Sequence, residues 1–281
     1  MSLILESEGL FVSNITFEEL YEKFWLDGYV SLGKLFDDEE VEIIKSAINK
    51  DEEMQAQRAH AQQKYEAGGH PSFETIFVMN DVFTDNIYAL ACRKARILDF
   101  ISYVFKDDAY LYHSKVPLKY PAMPGFKYHQ DYYYWYQMGC IFPHMATCFI
   151  ALDEATAENG CLKFIPKSHL CGRMDHVLHD GFSDSEADPV RVANLKNRFG
   201  EAEIKLRPGE VTIHHSCLLH GSGDNHSSHA RLALLGCFNT ENNSPINKDW
   251  DHPYYKKQER FYGKISEEHL NSVPDLSISF K

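Results

Sequence analysis

The sequence predicts an α+β protein in which N-terminal helices pack on one sheet of a double-stranded β-helix, that is, a jelly-roll barrel. Hydrophobic residues recur with helical spacing up to about residue 105. From Ala109 the pattern changes to short strands that are separated by turn residues. Seven or eight such strands around a small metal site, whose candidate ligands are described below, are typical of a jelly roll.

The length of the chain favours one domain. A chain of 281 residues with 44% hydrophobic residues can fill a substantial core, and single-domain β-barrels often reach this size. We expect a single domain over residues 1–281. Within it we expect a helical part at about 1–105, a jelly-roll core at about 106–240 and a C-terminal wrap at about 241–281.

The helical part begins with a capping signal. Thr16 and Glu19 have the spacing of a capping box, which predicts a first helix that ends near Gly28. A second helix is expected from about residue 37 and a third at about 90–105, since both segments carry apolar residues at helical spacing. The polar stretch 51–69 between them predicts a solvated helix or a mobile loop.

The strands are predicted from alternation and from β-branched and aromatic residues, with Gly, Pro and Asn residues at the turns between them. The predicted strands are 29–32, 109–116, 125–129, 145–152, 162–165, 202–206, 210–215 and 231–239. Segment 183–199 has no strand pattern and predicts a loop with a short helix over the mouth of the barrel. The polar segment from residue 242 onward is expected to wrap around the barrel.

Composition narrows the function. A net charge of -13 argues against a nucleic-acid partner, because phosphates require a basic surface. The seven cysteines have no CxxC spacing, which indicates reduced thiols in a reducing compartment rather than disulfides or a zinc site. Residues 1–12 are acidic and unlike a signal peptide, and no apolar run has the length of a membrane helix. We therefore expect a cytoplasmic monomer or homodimer that binds a small molecule and no membrane.

Two residues suggest half of a metal site. On a strand, His129 and Asp131 would project from the same face, because side chains repeat with period two. One imidazole and one carboxylate are two of the three ligands of a facial triad, and a second histidine would complete a site suited to Fe(II) and oxygen chemistry. The candidates for the third ligand are His214, His215 and His220. Residues 214 and 215 point to opposite faces of a strand, so at most one of them could serve.

A single arginine interrupts an apolar strand. Arg231 lies eleven residues after His220, in a segment that is otherwise largely apolar. One interpretation is an edge arginine in a surface salt bridge. The other is a buried guanidinium that holds a carboxylate with two hydrogen bonds, because an unpaired buried arginine is costly.

The order of these motifs resembles the phytanoyl-CoA dioxygenase family of Fe(II)- and 2-oxoglutarate-dependent oxygenases. The resemblance runs from about residue 24 to about residue 239, and it rests on four motifs: His129-x-Asp131, Glu158-Asn159-Gly160-Cys161-Leu162, His220-Gly221-Ser222-Gly223 and Arg231. It implies a cupin-like jelly roll that uses Fe(II), 2-oxoglutarate as cosubstrate and O2. The family's metal triad carries over onto His129, Asp131 and His220, and its cosubstrate arginine onto Arg231.

Further positions follow from the same resemblance. Lys115 matches a strand residue that the family uses before the metal motif, Phe149 an aromatic residue beside the cosubstrate, and Ser222 a hydroxyl near the cosubstrate carboxylate. Halogenases resembling this family have a small residue in place of the carboxylate ligand. Because Asp131 is present here, the resemblance favours hydroxylation or a related oxidation.

The substrate is expected to contact an aromatic run. Five aromatic residues, 132–136, follow Asp131, and alternation would direct about half of them toward the barrel mouth. We expect Tyr133 and Trp135 to contact substrate. His113 would point into the same pocket as Lys115, either as a further substrate contact or as a core histidine, whereas Gln130 would face away from the metal and hold structure.

The favoured function is hydroxylation of an unactivated C–H bond in a small metabolite or natural-product intermediate, as in secondary metabolism. Acidic net charge and aromatic residues favour a cationic or zwitterionic substrate, and an acyl-CoA stays open because Lys163, Lys167 and Arg173 could form a basic patch. The same site could instead support desaturation, cyclisation or epimerisation. A non-catalytic jelly-roll sensor or binding protein is the alternative from another class. A structural zinc protein is disfavoured, because the candidate ligands include no cysteine.

Overall fold

The computed structural model describes residues 15–66, 76–79, 82–178, 185–246 and 254–272. The segment 1–12, which the sequence distinguishes from a signal peptide, lies outside them. The described helices are α1 (Phe17–Asp27), α2 (Asp38–Lys50), α3 (Glu52–Glu66), α4 (Ile87–Cys92), α5 (Ala95–Phe105), α6 (Asp131–Gln137) and α7 (Pro189–Phe199). Short 3-10 helices are formed by Ser168–Cys171, Glu241–Asn243 and Glu267–Ser272. No described helix is both long enough and apolar enough to span a membrane.

Antiparallel sheets form the rest of the fold. The strands are β1 (Tyr29–Lys34), β2 (Ile76–Met79), β3 (Ala109–Lys119), β4 (Ala146–Ala151), β5 (Leu162–Phe164), β6 (His176–Leu178), β7 (Ser185–Ala187), β8 (Ala202–Ile204), β9 (Glu210–His215), β10 (His220–Ser222) and β11 (Arg231–Thr240). One six-stranded sheet has the order β1-β9-β4-β11-β3-β2, and a smaller sheet has the order β10-β5-β8. The strands β6 and β7 form a separate hairpin. The predicted α+β jelly roll is confirmed, although its hydrogen bonds form two separate sheets rather than one closed barrel within the described chain.

The two faces of the large sheet have different partners. On β4 and β11, side chains such as Ile150 and Leu234 pack in the core that the N-terminal helices share. The alternate side chains Phe149 and Ala233 pack with Phe164 of the small sheet. Because side chains alternate along a strand, Arg231 also belongs to this inner face. The inner face is therefore where the candidate site residues of β3, β4 and β11 lie.

The capping box predicted for the first helix is present in the structure, and the second helix has one as well. Thr16 and Glu19 form a reciprocal capping box at α1, and Asp37 and Glu40 form one at α2. The helix α1 ends at Gly28, whose φ of 87° is the left-handed conformation that glycine adopts readily.

Several predicted elements differ in the structure. The predicted helix 90–105 is two helices, because the backbone of Arg93 and Ala95 hydrogen-bonds to Phe261 of the C-terminal segment at the break. The polar stretch after residue 51 is a helix, α3, which was one of its two predicted alternatives, and residues 67–69 lie outside the described residues. Segment 183–199 contains a short strand, β7, before α7.

Two errors fall at the metal motif. The predicted strand 125–129 is reduced to one bridge, between His129 and His220. The aromatic run, which was expected to alternate as an extended chain, is the helix α6. Packing explains this second error, because Tyr132 and Trp135 are three positions apart and fill one buried cluster from one face of the helix.

Candidate metal centre

The structure brings together the two halves of the metal motif. Ligand atoms of His129, Asp131 and His220 all lie within 4.8 Å of one another. Two backbone hydrogen bonds of 2.9 and 3.0 Å between His129 and His220 hold the imidazoles side by side. Asp131 occupies the first position of α6, where the helix dipole favours a carboxylate. His129 and Asp131 therefore do lie together as predicted, although Asp131 begins a helix and does not lie on the predicted strand.

The ring nitrogens of both histidines are arranged for metal binding. His129 Nδ1 lies 2.8 Å from the carbonyl oxygen of Lys127, and His220 Nδ1 lies 2.9 Å from that of Leu218. A carbonyl oxygen can only accept a hydrogen bond, so we assign the proton of each ring to Nδ1. The Nε2 atoms then carry the free lone pairs, and His220 Nε2 lies 3.8 Å from Asp131 Oδ2.

The charges suit a divalent cation. Burial lowers the pKa of His129 and of His220, which favours the neutral form that can bind a metal. Burial alone would raise the pKa of Asp131, but His220, Lys115 and His214 outweigh it and hold that pKa well below its usual value. Two neutral imidazoles and one carboxylate, with no further acidic or cysteine ligand in the described cluster, are the donor set that Fe(II) uses in a facial triad.

Two neighbours hold the Asp131 carboxylate. Thr147 Oγ1 donates to Asp131 Oδ2 over 2.5 Å. His214 Nε2 lies 3.5 Å from the same oxygen, without meeting hydrogen-bond geometry. His215 points to the other face of β9, where it packs against Phe24. Of the three candidate histidines, His220 is thus the one that joins His129 and Asp131, and His214 lies behind the carboxylate.

Gln130 faces away from the centre, as predicted. Its side-chain nitrogen donates to the carbonyl oxygens of Gly172 and Cys217, and its side-chain oxygen accepts from the backbone N–H of Met174. Two of these bonds are buried and the bond to Gly172 is partly buried, and they attach the metal motif to two neighbouring loops.

The helical path of α6 changes which aromatic residues approach the centre. Tyr134, which the sequence argument did not select, follows Asp131 by three positions, and its ring lies 6.2 Å from that of His129. Its hydroxyl lies 2.7 Å from Ser185 Oγ on β7. The signal that could have found Tyr134 is its spacing of three residues from Asp131, which places both on one side of a helix. It was overlooked because a strand was expected here.

The three predicted substrate residues make contacts within the protein. Tyr133 stacks on His176 with ring centroids 4.0 Å apart. Trp135 is buried, and its indole N–H donates to His113 Nε2 over 3.3 Å. His176 in turn accepts from the backbone N–H of Gln130, and burial lowers the pKa of His176 to about 4.

A second cluster lies farther along β3 and β11, and we call Arg231, Lys119 and Ser222 the basic corner. Arg231 and Lys119 are direct partners in the β3–β11 pairing, and each is 3% exposed. The Nε and Nη1 atoms of Arg231 have no hydrogen-bond partner, and its guanidinium lies 5.6 Å from the ring centroid of Phe149. The surface salt-bridge interpretation of Arg231 is therefore wrong.

The basic corner lacks a counter-ion within the described residues. Lys119 Nζ donates to Ser222 Oγ at 2.8 Å and to the carbonyl oxygen of Gly223 at 2.5 Å, neither of which carries a charge. Burial lowers the pKa of Arg231 to about 10. Buried charges normally have a partner, so this corner has the chemistry of an anion site.

Lys119 was missed by the sequence argument. The available signal was register, because Lys119 and Lys115 lie on one face of β3 and Lys119 pairs with Arg231. Lys115 lies closer to the metal motif. Burial would lower the pKa of Lys115, but Cys237, Asp131 and Tyr134 together raise it, so Lys115 stays charged.

Comparisons with known proteins agree with this geometry. The family model "Phytanoyl-CoA dioxygenase (PhyH)" matches residues 24–233. A probable alpha-ketoglutarate-dependent hypophosphite dioxygenase from Stutzerimonas stutzeri is 27% identical over 238 residues, which are 78% of this chain and 77% of that protein. A methylphosphonate hydroxylase from Gimesia maris is 27% identical over 175 residues, 61% of this chain and 60% of that protein.

Among solved structures, the crystal structure of EctD from S. alaskensis with 2-oxoglutarate and 5-hydroxyectoine superposes with a TM-score of 0.68. It is 20% identical and covers 94% of this chain and 93% of its own. At this identity the likeness supports the fold alone.

Proposed function

Because the chain belongs to the phytanoyl-CoA dioxygenase family and is an Fe(II)- and 2-oxoglutarate-dependent dioxygenase, we propose that it hydroxylates a small metabolite that carries an anionic group. The observation that carries the assignment of the site is the pairing of a buried two-histidine, one-carboxylate cluster with a buried arginine that has no counter-ion. The first fits Fe(II), and the second fits a dicarboxylate cosubstrate.

We assign the residues as follows. His129, Asp131 and His220 would hold Fe(II), with the Nε2 lone pairs of both imidazoles and one carboxylate oxygen as donors. Thr147 fixes the carboxylate of Asp131. When bound, iron and 2-oxoglutarate supply oxidative decarboxylation coupled to transfer of one oxygen atom from O2 to a C–H bond.

The chain's own groups orient the cosubstrate. The Arg231 guanidinium offers two unpartnered N–H groups to the far carboxylate, Ser222 offers a hydroxyl, and Phe149 covers the cation with its ring. The family resemblance assigns Lys115 to the cosubstrate. Its charged amine would bind a negatively charged oxygen of the cosubstrate beside the metal ligands. These contacts set the position of the cosubstrate before reaction and exclude water from a buried corner.

Charge at the site favours an anionic substrate over the cationic one that composition suggested. Asp131, the carboxylate at the centre, is committed to the metal and is not left to pair with a substrate cation. Two of the similar proteins are named for phosphorus oxyacids, hypophosphite and methylphosphonate. We propose Tyr133, Trp135 and His113, together with Tyr134, as the wall against which such a molecule is held.

A reducing compartment fits the cysteines. All seven are free thiols, and six of them are buried. We propose a cytoplasmic enzyme for this reason.

The test is a panel of metabolites that differ in charge. Purified protein with Fe(II), 2-oxoglutarate and O2 would be offered small phosphonates, amino-acid zwitterions, small organic cations and acyl-CoA thioesters. We expect anionic or zwitterionic members to stimulate succinate formation and to gain sixteen mass units. Stimulation by cations or CoA thioesters alone would contradict the proposed substrate class. A loss of two mass units would point to desaturation or cyclisation, and an absence of succinate with every compound would favour a binding protein.

A further inference from the structure

Two basic side chains lie side by side in the basic corner, and the family assignment accounts for only one of them. Lys119 pairs directly with Arg231 across β3 and β11, and both are almost fully buried. We infer that Lys119 is a second binding group for the cosubstrate carboxylate held by Arg231, and that it takes up a proton when the cosubstrate binds. This inference rests on the proposed function.

Ser222 supplies the first argument, because its hydrogen bonds leave it a donor. Ser222 Oγ accepts from Lys119 Nζ at 2.8 Å and from the backbone N–H of Phe126 at 2.9 Å. A hydroxyl has two acceptor positions and one proton, so both acceptor positions are filled. The proton of Ser222 is then available to an acceptor such as a carboxylate oxygen.

Lys119 itself supplies the second argument. Its Nζ makes two contacts, to Ser222 Oγ and to the carbonyl oxygen of Gly223. A neutral amine has two protons, which these contacts use, whereas an ammonium group has a third. Together with Arg231 Nε and Nη1 and the Ser222 hydroxyl, Lys119 Nζ would give four donor atoms in one corner, enough to fill the four lone-pair positions of a carboxylate.

The surroundings explain why the third proton is absent before binding. Burial lowers the pKa of Lys119 to about 7, and the nearby positive charges of Arg231 on β11 and Lys163 on β5 add to this effect. Asp224 and Cys161 act in the opposite direction but do not outweigh them. Free Lys119 is therefore mostly neutral above pH 7, and an adjacent carboxylate would raise its pKa and favour the ammonium form.

Proton uptake predicts the direction in which the affinity for 2-oxoglutarate changes with pH. When binding of a ligand requires a proton from solution, the affinity falls as pH rises, by at most about tenfold per pH unit for one proton. The affinity for 2-oxoglutarate should therefore decrease between pH 7 and pH 9. Below pH 6 it should be nearly constant with respect to Lys119, because the amine is already protonated there.

Calorimetry measures the coupling directly. 2-Oxoglutarate would be titrated into Fe(II)-loaded protein without O2, at pH 6 and pH 8, each in two buffers with different ionisation enthalpies. The difference between the two buffers gives the number of protons taken up. We expect about one proton per cosubstrate at pH 8 and little uptake at pH 6.

Two variants of Lys119 separate binding from a structural role. Lys119→Arg keeps a positive charge that does not titrate, so it should bind within a few-fold of wild-type affinity but without proton uptake. Lys119→Met should bind about 10- to 100-fold more weakly and also without uptake. The matched control is Lys205→Met, which removes an exposed lysine beside Glu203 and should change neither quantity.

The outcomes are distinct. Wild-type binding without proton uptake at pH 8, or equal uptake by Lys119→Arg, would overturn the inference and leave the proposed function standing. An absence of 2-oxoglutarate binding by the wild type would overturn both. A merely structural Lys119 would change the thermal unfolding temperature of both variants and would leave no buffer-dependent heat in the wild type.

Discussion

At the scale of single residues, Arg231 has the clearest requirement for a ligand. Its nitrogen atoms Nε and Nη1 have no hydrogen-bond partner although the side chain is buried, and leaving such groups unpaired is unfavourable by about 1–3 kcal/mol each. Arginine is suited to a carboxylate because its planar fork can donate two parallel hydrogen bonds. A bound cosubstrate carboxylate would therefore supply the acceptors that the guanidinium of Arg231 lacks.

Replacement of Arg231 tests this role. Arg231→Gln should raise the KM for 2-oxoglutarate about 100-fold, because it removes a buried charge-assisted pair, and it should change the maximal rate much less. The measurement is succinate formation as a function of 2-oxoglutarate concentration. Arg207→Gln is the matched control, since Arg207 is exposed and pairs with Glu210 at the surface. A wild-type KM in Arg231→Gln would contradict the assignment.

Sequence pattern identified Arg231 but not its neighbour. A lone arginine in an apolar strand is visible in the sequence, whereas Lys119 becomes notable only when the β3–β11 register places it opposite Arg231. Register between strands that are more than one hundred residues apart is not encoded in local periodicity. For the same reason, the sequence left His214, His215 and His220 as candidates for the third ligand. Only the structure, in which His220 joins His129 and Asp131, selects one of them.

At the scale of elements, the metal motif depends on a close approach of two backbones. His129 and His220 form a bridge, and the next residue, Gly221, packs against the loop before His129. A Cβ atom at Gly221 would lie 2.6 Å from the carbonyl oxygen of Phe126 and 3.4 Å from that of Lys127. The Lys127 carbonyl is the acceptor for His129 Nδ1, so this glycine helps to fix a metal ligand.

Gly221→Ala should therefore weaken metal binding. We expect the affinity for Fe(II) or Co(II) to fall by about tenfold or more and stability to fall by about 1–3 kcal/mol, because the loop must shift to admit the methyl group. Metal titration and thermal unfolding measure the two effects. In Gly223→Ala, the control, the nearest atoms lie at 3.4 Å, which is nearly ordinary contact. Equal metal affinity in the two variants would show that the close approach is unimportant.

Elements were predicted well where local signals agree with packing. The capping box of α1, the start of α2 and the strand β9 lie where the sequence places them. The aromatic run after Asp131 was predicted incorrectly, because high β-propensity pointed to a strand while burial of Tyr132 and Trp135 on one side favours a helix. Because of this error, Tyr133 and Trp135 were expected to contact substrate and Tyr134 was not selected.

At the scale of the whole molecule, the two faces of the six-stranded sheet have different roles. One face of the six-stranded sheet packs with the N-terminal helices, and the inner face carries Asp131's partner Thr147, the basic corner and Phe149. The C-terminal segment ties the helices to this sheet, since Gln258 bonds to the backbone of Leu111 and Arg260 pairs with Asp99 and Asp108. These cross-connections join the C-terminal segment to the helices and the sheet, and the single domain over residues 1–281 stays a prediction.

The central claim is that His129, Asp131 and His220 hold the iron of a 2-oxoglutarate-dependent oxygenase. The most direct measurement is the Fe(II)- and O2-dependent conversion of 2-oxoglutarate to succinate by the wild type, Asp131→Ala and the control Asp175→Ala, whose aspartate side chain is 90% exposed. Circular dichroism would show that each variant is folded. We predict that Asp131→Ala loses more than about 100-fold of the activity while Asp175→Ala keeps it. Wild-type turnover by folded Asp131→Ala would contradict the account.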